Sequence, residues 1–89
     1  MELSVPEEFR EICKRIVEER KTEAQWAEEE SDDTFQTKSF CGGYDADEHA
    51  FCFSYYSEDS TEYWFQLTLN EVHDVLSEEK TALHVRRPD

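Results

Sequence analysis

The clearest β-strand pattern in the chain lies in residues 51–69, FCFSYYSEDSTEYWFQLTL. Its two halves alternate apolar and polar side chains, a period of two that is typical of β-strands with one buried face. The shared apolar positions are Phe51, Phe53, Tyr55, Tyr63, Phe65, Leu67 and Leu69. Residues 57–60, SEDS, supply turn-forming side chains between the halves. The stretch therefore predicts an antiparallel hairpin.

A third strand precedes this hairpin in the sequence. The period of two begins at residue 34, where Phe35, Thr37, Ser39 and Cys41 fall on one face. We expect Gly42-Gly43 to end the strand, with a polar loop following to about Glu48. Three aromatic-rich runs joined by short turns predict a three-stranded antiparallel meander.

Helical spacing appears toward the N-terminus. Residues 9–17 carry apolar side chains at helical spacing: Phe9, Ile12, Cys13, Ile16 and Val17. Ser4 and Glu7 have the spacing of a capping box that would begin this helix. Thr22 and Gln25 repeat that spacing, so the N-terminal helix either continues with a bend or is broken into two.

The C-terminal part predicts one more helix. Asn70 is placed to cap it, and Val72, Val75 and Leu76 give it an apolar face. Residues 81–85 form either a short terminal strand or a tail on the body of the protein. The predicted fold class is α+β in a single domain spanning 1–89, with the helices packed on one face of the three-stranded sheet.

The order of helices and strands resembles that of double-stranded-RNA-binding domains. Those domains begin their last helix with basic residues, whereas this chain has Asn70-Glu71-Val72-His73-Asp74. The charge is therefore wrong for RNA, and we reject this function.

Composition bounds the function further. The 89 residues carry a formal net charge of −14, which argues against nucleic acid because phosphate binding requires clustered Lys and Arg. Aromatic residues make up 13% of the chain, which favours a folded domain over disorder. No apolar run approaches membrane-spanning length, and the N-terminus lacks a signal-peptide pattern. With three cysteines and no CxxC motif, we expect a cytoplasmic protein with free thiols.

The charge is unevenly distributed. Residues 22–79 contain sixteen acidic residues and one basic residue, Lys38, whereas the two ends are nearly neutral. One interpretation is a solvated face that keeps the protein soluble. The other is a surface for a basic protein partner, since complementary charge speeds encounter and excludes wrong partners. Aromatic anchors would lie among the acids on the outer face of the sheet. The candidate partner-binding residues are Phe40, Tyr44, Tyr56, Glu58, Asp59, Glu62 and Trp64.

Two weaker constellations involve the predicted loop. Asp45, Asp47, Glu48 and His49 are weak candidates for a divalent cation, because their spacing lacks the pattern of an EF-hand. Cys41, His49 and Cys52 form a sulfur–imidazole cluster whose spacing matches no zinc module. Cys41 and Cys52 also form a disulfide if the strand register brings them together.

Catalytic motifs are missing from the sequence. There is no GxSxG, HExxH or phosphate-binding glycine loop, and no cofactor is expected. We therefore expect a non-catalytic protein–protein interaction module, either a monomer or a homodimer. The alternatives are a domain that binds a small ligand or divalent cation at the 42–49 loop, and a small enzyme.

Overall fold

A computed structural model describes residues 1–88 of the chain. Its helices and strands are, in chain order, β1 Glu2–Ser4, α1 Glu7–Glu18, α2 Glu23–Glu28, β2 Phe35–Gln36, β3 Phe40–Asp45, β4 Ala50–Tyr56, β5 Glu62–Leu67, α3 Leu69–Leu76 and β6 Ala82–His84. The fold class is α+β with antiparallel sheets, as predicted. The N-terminal helical region is broken into two helices.

The described residues form two sheets instead of the single three-stranded meander that was predicted. The larger sheet has the order β2-β3-β4-β5, and the smaller one pairs β1 with β6. A bridge between Trp64 and Arg86 connects them, with Trp64 N donating to Arg86 O at 2.7 Å and Arg86 N donating to Trp64 O at 2.9 Å. The two ends of the chain thereby extend the sheet beyond β5.

The expected strand at 34–41 is in fact two strands, β2 and β3, separated by a tight turn. Thr37 N donates to Phe40 O at 2.8 Å, and Phe40 N donates to the Thr37 hydroxyl at 3.2 Å. The Glu8 carboxylate accepts from the Thr37 hydroxyl and, at 2.7 Å, from Ser39 N. This long-range contact stabilises a turn that the local alternation does not reveal, and the turn shifts the alternation by one residue.

The glycine pair lies inside β3 and does not end a strand, contrary to prediction. Gly42 pairs with Phe53 and Gly43 with Cys52. A Cβ on Gly43 would lie 2.3 Å from the carbonyl oxygen of Ser31. The glycine is therefore needed because another segment of backbone passes directly over the strand.

Helix boundaries follow the predicted caps in one case of three. Thr22 and Gln25 form the expected reciprocal capping box of α2. α3 is capped by Thr68 with Glu71, not by Asn70. Ser4 does not cap α1, because residues 2–4 pair with β6 and the helix begins after Pro6.

The core lies between the helices and one face of the larger sheet. Phe9 of α1 is fully buried, and its ring centroid lies 5.1 Å from that of Phe53 and 5.2 Å from those of Phe40 and Phe65. Trp26 of α2 packs edge-on against Phe51 at 5.1 Å. The helices thus pack on one face of the larger sheet, as expected, and leave its other face uncovered.

Candidate partner-binding groove

The uncovered face of the larger sheet is concave. Its strand register places Cys41, Ser54 and Trp64 in one cross-strand row and Gly43, Cys52 and Gln66 in the next. Small side chains occupy the centre of both rows, and Trp64 is the large side chain at the β5 side. The result is an open cavity of about 720 Å³, called here the outer groove. Its lining includes Ser31, Asp32, Cys41, Gly43, Asp45, Glu48, Cys52, Ser54, Glu62, Trp64, Gln66, His84 and Arg86.

The linker between α2 and β2 forms the β3 side of the outer groove. Ser31 N donates to Tyr44 O at 3.3 Å, and the Cys41 thiol donates to Asp32 O at 3.7 Å. Glu30 Oε2 accepts from Ala46 N at 3.0 Å. These contacts bring the acidic linker against the acidic β3–β4 hairpin, although the two segments are separate in the sequence.

Glu62 fixes the orientation of Trp64. One carboxylate oxygen, Oε2, accepts from Trp64 Nε1 at 2.7 Å and from the Ser54 hydroxyl at 2.9 Å. Trp64 nevertheless leaves 46% of its surface exposed. An indole that is held in place but open to solvent loses little conformational entropy when it contacts a partner.

The groove carboxylates are not neutralised within the described chain. Asp32, Asp45, Glu48 and Glu62 line the groove, and none of them takes part in an ion pair within residues 1–88. Of the acids between residues 22 and 79, Glu29 and Glu71 do pair, with Lys21 and Lys80. The opposing charges in the groove are those of Arg86 and, when protonated, His84. The groove therefore keeps an excess of negative charge.

The two groove cysteines are free thiols. Cys41 lies opposite Ser54 and Cys52 opposite Gly43, so the cysteines are diagonal neighbours on adjacent strands and do not form the disulfide. Burial, with a smaller contribution from the carboxylates of Asp45 and Glu48, raises the pKa of the Cys52 thiol to about 11. A thiol with this pKa is protonated at neutral pH and is a poor nucleophile.

The weak cation candidates lie at the turn of the β3–β4 hairpin, where Asp45 stabilises the turn by accepting backbone hydrogen bonds. Asp45 Oδ1 accepts from Asp47 N at 2.9 Å and from Glu48 N at 3.3 Å. His49 adopts a left-handed backbone with φ 54°. In the part of the chain that the structure describes, no three His, Cys, Asp or Glu side chains are arranged to hold a metal ion, and this includes the Cys41–His49–Cys52 cluster.

The predicted partner-binding residues divide between the two sheet faces. Tyr56 is 43% exposed and lies directly opposite Glu62 on the outer face, in the row beyond Trp64. Phe40 and Tyr44, expected on the outer face, are buried in the core at 1% and 2% exposure, so that placement was wrong. For Phe40 the turn at 37–39 is the cause, since it reverses which residues of β3 face outward.

The other two candidates lie away from the groove. Glu58 and Asp59 occupy the β4–β5 turn, at the opposite end of β4 from the acidic hairpin. Asp32 and Arg86 were not predicted as site residues, although they line the groove from the α2–β2 linker and the C-terminal segment. The glycine pair inside an aromatic run was the available signal for Asp32, because such a pair marks a close backbone approach. No local pattern marks Arg86.

No protein-family model, curated protein or solved structure matches this chain. None of the helices in residues 1–88 combines the length and apolar character needed to span a lipid bilayer.

Proposed function

We propose that this protein is a non-catalytic interaction module that binds a basic protein through its outer groove. The observation that carries the proposal is the convergence of four carboxylates on a concave sheet face beside an exposed, oriented tryptophan. Asp32, Asp45 and Glu48 come from the linker and the hairpin, and Glu62 stands beside Trp64 on β5.

Charge complementarity supports a cationic partner. Carboxylates without internal counterions create a field that raises the encounter rate with a basic surface and repels acidic ones. The same field disfavours nucleic acid, whose phosphates would meet like charge. A basic protein is therefore the class of macromolecule that fits the groove.

The side chains in the groove support binding through an anchor. Trp and Tyr are enriched among the residues that dominate interface energetics. Trp64 stands at the β5 side of the groove, whereas Tyr56 lies further along the same face, outside the lining of the groove. The protonated Cys52 thiol favours a binding role for the groove over nucleophilic chemistry.

The test separates the position of the charge from its amount. A groove-neutral variant combines Asp32→Asn, Asp45→Asn, Glu48→Gln and Glu62→Gln, which keep an oxygen acceptor at each position. This variant raises the net charge by four. Each substituted side chain still has an oxygen that can accept the hydrogen bonds made within the fold.

A helix-neutral variant makes the same charge change on or beside the helices. It combines Glu18→Gln, Glu28→Gln, Glu78→Gln and Glu79→Gln, all exposed and all outside the ion pairs of the described chain. Equal folding of both variants is checked by circular dichroism.

Immobilised wild-type protein and both variants are incubated with lysate of the source cells at low and high salt. We expect a basic protein retained by the wild type and the helix-neutral variant at low salt, released at high salt and absent from the groove-neutral variant. Equal retention by both variants, or no partner at either salt, would contradict the proposal.

A further inference from the structure

The Trp64 side chain is exposed to solvent in the outer groove. Two other aromatic rings are already covered by cations of the chain itself. The Arg15 guanidinium lies 5.1 Å from the centroid of Phe35, and Lys21 Nζ lies 4.6 Å from that of Trp26. Within residues 1–88 no cation covers Trp64, although indole attracts cations more strongly than phenyl does.

Glu62 adds a directional acceptor at the edge of this ring. Its Oε2 accepts from both Trp64 Nε1 and the Ser54 hydroxyl, whereas its Oε1 accepts no hydrogen bond within residues 1–88. A carboxylate accepts up to about four hydrogen bonds on two oxygens. Glu62 therefore retains acceptor capacity beside the exposed indole.

Building on the proposed function, we propose that the groove recognises an arginine side chain of the basic partner. The guanidinium stacks on the exposed face of Trp64 and donates to Oε1 of Glu62. A guanidinium is planar, is weakly hydrated and donates several hydrogen bonds in its plane while its face stacks on an aromatic ring. A lysine ammonium is a strongly hydrated point charge that does not stack, so the geometry selects arginine over lysine.

Arg86 bears on this proposal because it lines the same groove. Its backbone is held by the bridge to Trp64, and its side chain is exposed. An incoming cation is repelled by the Arg86 charge and attracted by Asp32, Asp45 and Glu48 across the groove. Arg86→Gln should therefore tighten binding of a cationic peptide while preserving both backbone hydrogen bonds.

The experiment uses two capped peptides, Gly-Arg-Gly-Arg-Gly and Gly-Lys-Gly-Lys-Gly, which carry equal charge. Each is titrated at low salt into ¹⁵N-labelled full-length protein. The indole N–H signals of the two tryptophans are followed, and Trp64→Leu assigns them. The buried Trp26 serves as an internal reference, since it lies at 2% exposure in the core.

We expect the arginine peptide to shift the Trp64 indole signal and to bind at least about threefold more tightly than the lysine peptide. Trp64→Leu should weaken arginine-peptide binding roughly 2- to 30-fold, and Glu62→Gln about two- to fivefold. The matched controls, Tyr56→Leu and Glu58→Gln, should change it less than about twofold.

The peptide titrations distinguish failure of arginine recognition from failure of the proposed binding of a basic protein. Equal affinity for both peptides, or equal effects of Trp64→Leu and Tyr56→Leu, would overturn arginine recognition while leaving a groove that binds basic partners. Binding of neither peptide at low salt would overturn both proposals. Weaker binding by Arg86→Gln would contradict the placement of the guanidinium in this groove.

Discussion

Glu78 holds a backbone conformation that suits glycine. It lies just beyond α3 with φ 66°, in the left-handed region. Glu79 N donates to Asp74 O at 2.9 Å and Glu78 N to Val75 O at 3.2 Å, which is the Schellman pattern that ends many helices. A residue with a Cβ is strained in this conformation.

Glu78→Gly should therefore raise the free energy of unfolding, by up to about 1 kcal/mol after the added chain entropy of glycine is subtracted. Urea denaturation monitored by circular dichroism measures the change. Glu78→Ala is the control, because it removes the same charge and keeps the strain. If alanine stabilises the protein as much as glycine does, the gain is electrostatic and the strain argument is wrong.

Gly43 permits the contact that shapes one side of the groove. With no Cβ, it lets the Ser31 carbonyl pass over β3. Gly43→Ala should cost about 1–3 kcal/mol, because either the linker or the strand must move. Denaturant midpoints measure this cost, and Gln66→Ala on the same outer face is the control. An unchanged midpoint for Gly43→Ala would show that the linker does not lie over the strand.

The sequence predicted the exposure of Trp64 correctly but wrongly expected Phe40 and Tyr44 on the outer face of the sheet. The exposure of Trp64 follows from the alternation in β5, which runs without interruption. Phe40 and Tyr44 lie beyond the turn at 37–39, and that turn depends on Glu8 from a distant helix. The local alternation therefore assigned Phe40 to the wrong face, and the expected end of the strand at Gly42-Gly43 placed Tyr44 in a loop instead of inside β3.

Between elements, Glu8 connects α1 to the β2–β3 turn. Partial burial alone would raise the pKa of Glu8, but hydrogen bonds from Thr37 and Ser39 and the charge of Lys38 outweigh it, and the pKa is lowered. A carboxylate with a lowered pKa stabilises the folded state above its unfolded-state pKa. That contribution is lost as the pH falls through the lower, folded-state pKa.

Glu8→Gln should reduce the free energy of unfolding at pH 7 by about 1 kcal/mol, through loss of a charged hydrogen-bond acceptor. The difference from wild type should shrink as the pH falls below about 4.5, the ordinary pKa of the group. Thermal melts between pH 7 and pH 3 measure it. Glu11→Gln, in an exposed ion pair with Lys14, should show little effect. A constant difference across this range would exclude a role for the ionised Glu8.

The elements divide into those with local signals and those without. The apolar stripe of α1, the capping box of α2 and the alternation of β4 and β5 are all encoded within short windows. The β1–β6 pair joins residues at opposite ends of the chain, such as Leu3 with Leu83. Two strands of three residues carry too little pattern to be recognised before their partner is known, which is why the smaller sheet was missed.

The protein has a formal net charge of −14 and, with 89 residues, only a small core to offset the repulsion between these charges. Like charges repel in the compact state, and salt screens that repulsion. Raising NaCl from about 10 mM to about 150 mM, where the Debye length falls from about 30 Å to about 8 Å, should raise the thermal midpoint. Sucrose of equal osmolality is the control for effects unrelated to charge. A midpoint that falls with NaCl would show that favourable ion pairs outweigh the repulsion.

The composition predicts an acidic protein but does not indicate which acidic side chains lie together in the structure. The linker and the hairpin meet because Glu30 accepts from Ala46 N and because Gly43 admits Ser31. Neither contact is signalled by the local alternation of apolar and polar residues. The outer groove is therefore a property of the tertiary structure.

The concentration of negative potential in the outer groove can be measured directly. A cationic amino-nitroxide and a neutral hydroxyl-nitroxide are added separately to the ¹⁵N-labelled protein, and the relaxation enhancement of each N–H is compared between the two probes. We expect the cationic-to-neutral ratio to be largest at the groove residues Gly43 and Cys52 and at the Trp64 indole, and smaller on the exposed face of α1. A ratio that is uniform over the surface, or largest on the helices, would show that the negative potential is not concentrated in the groove.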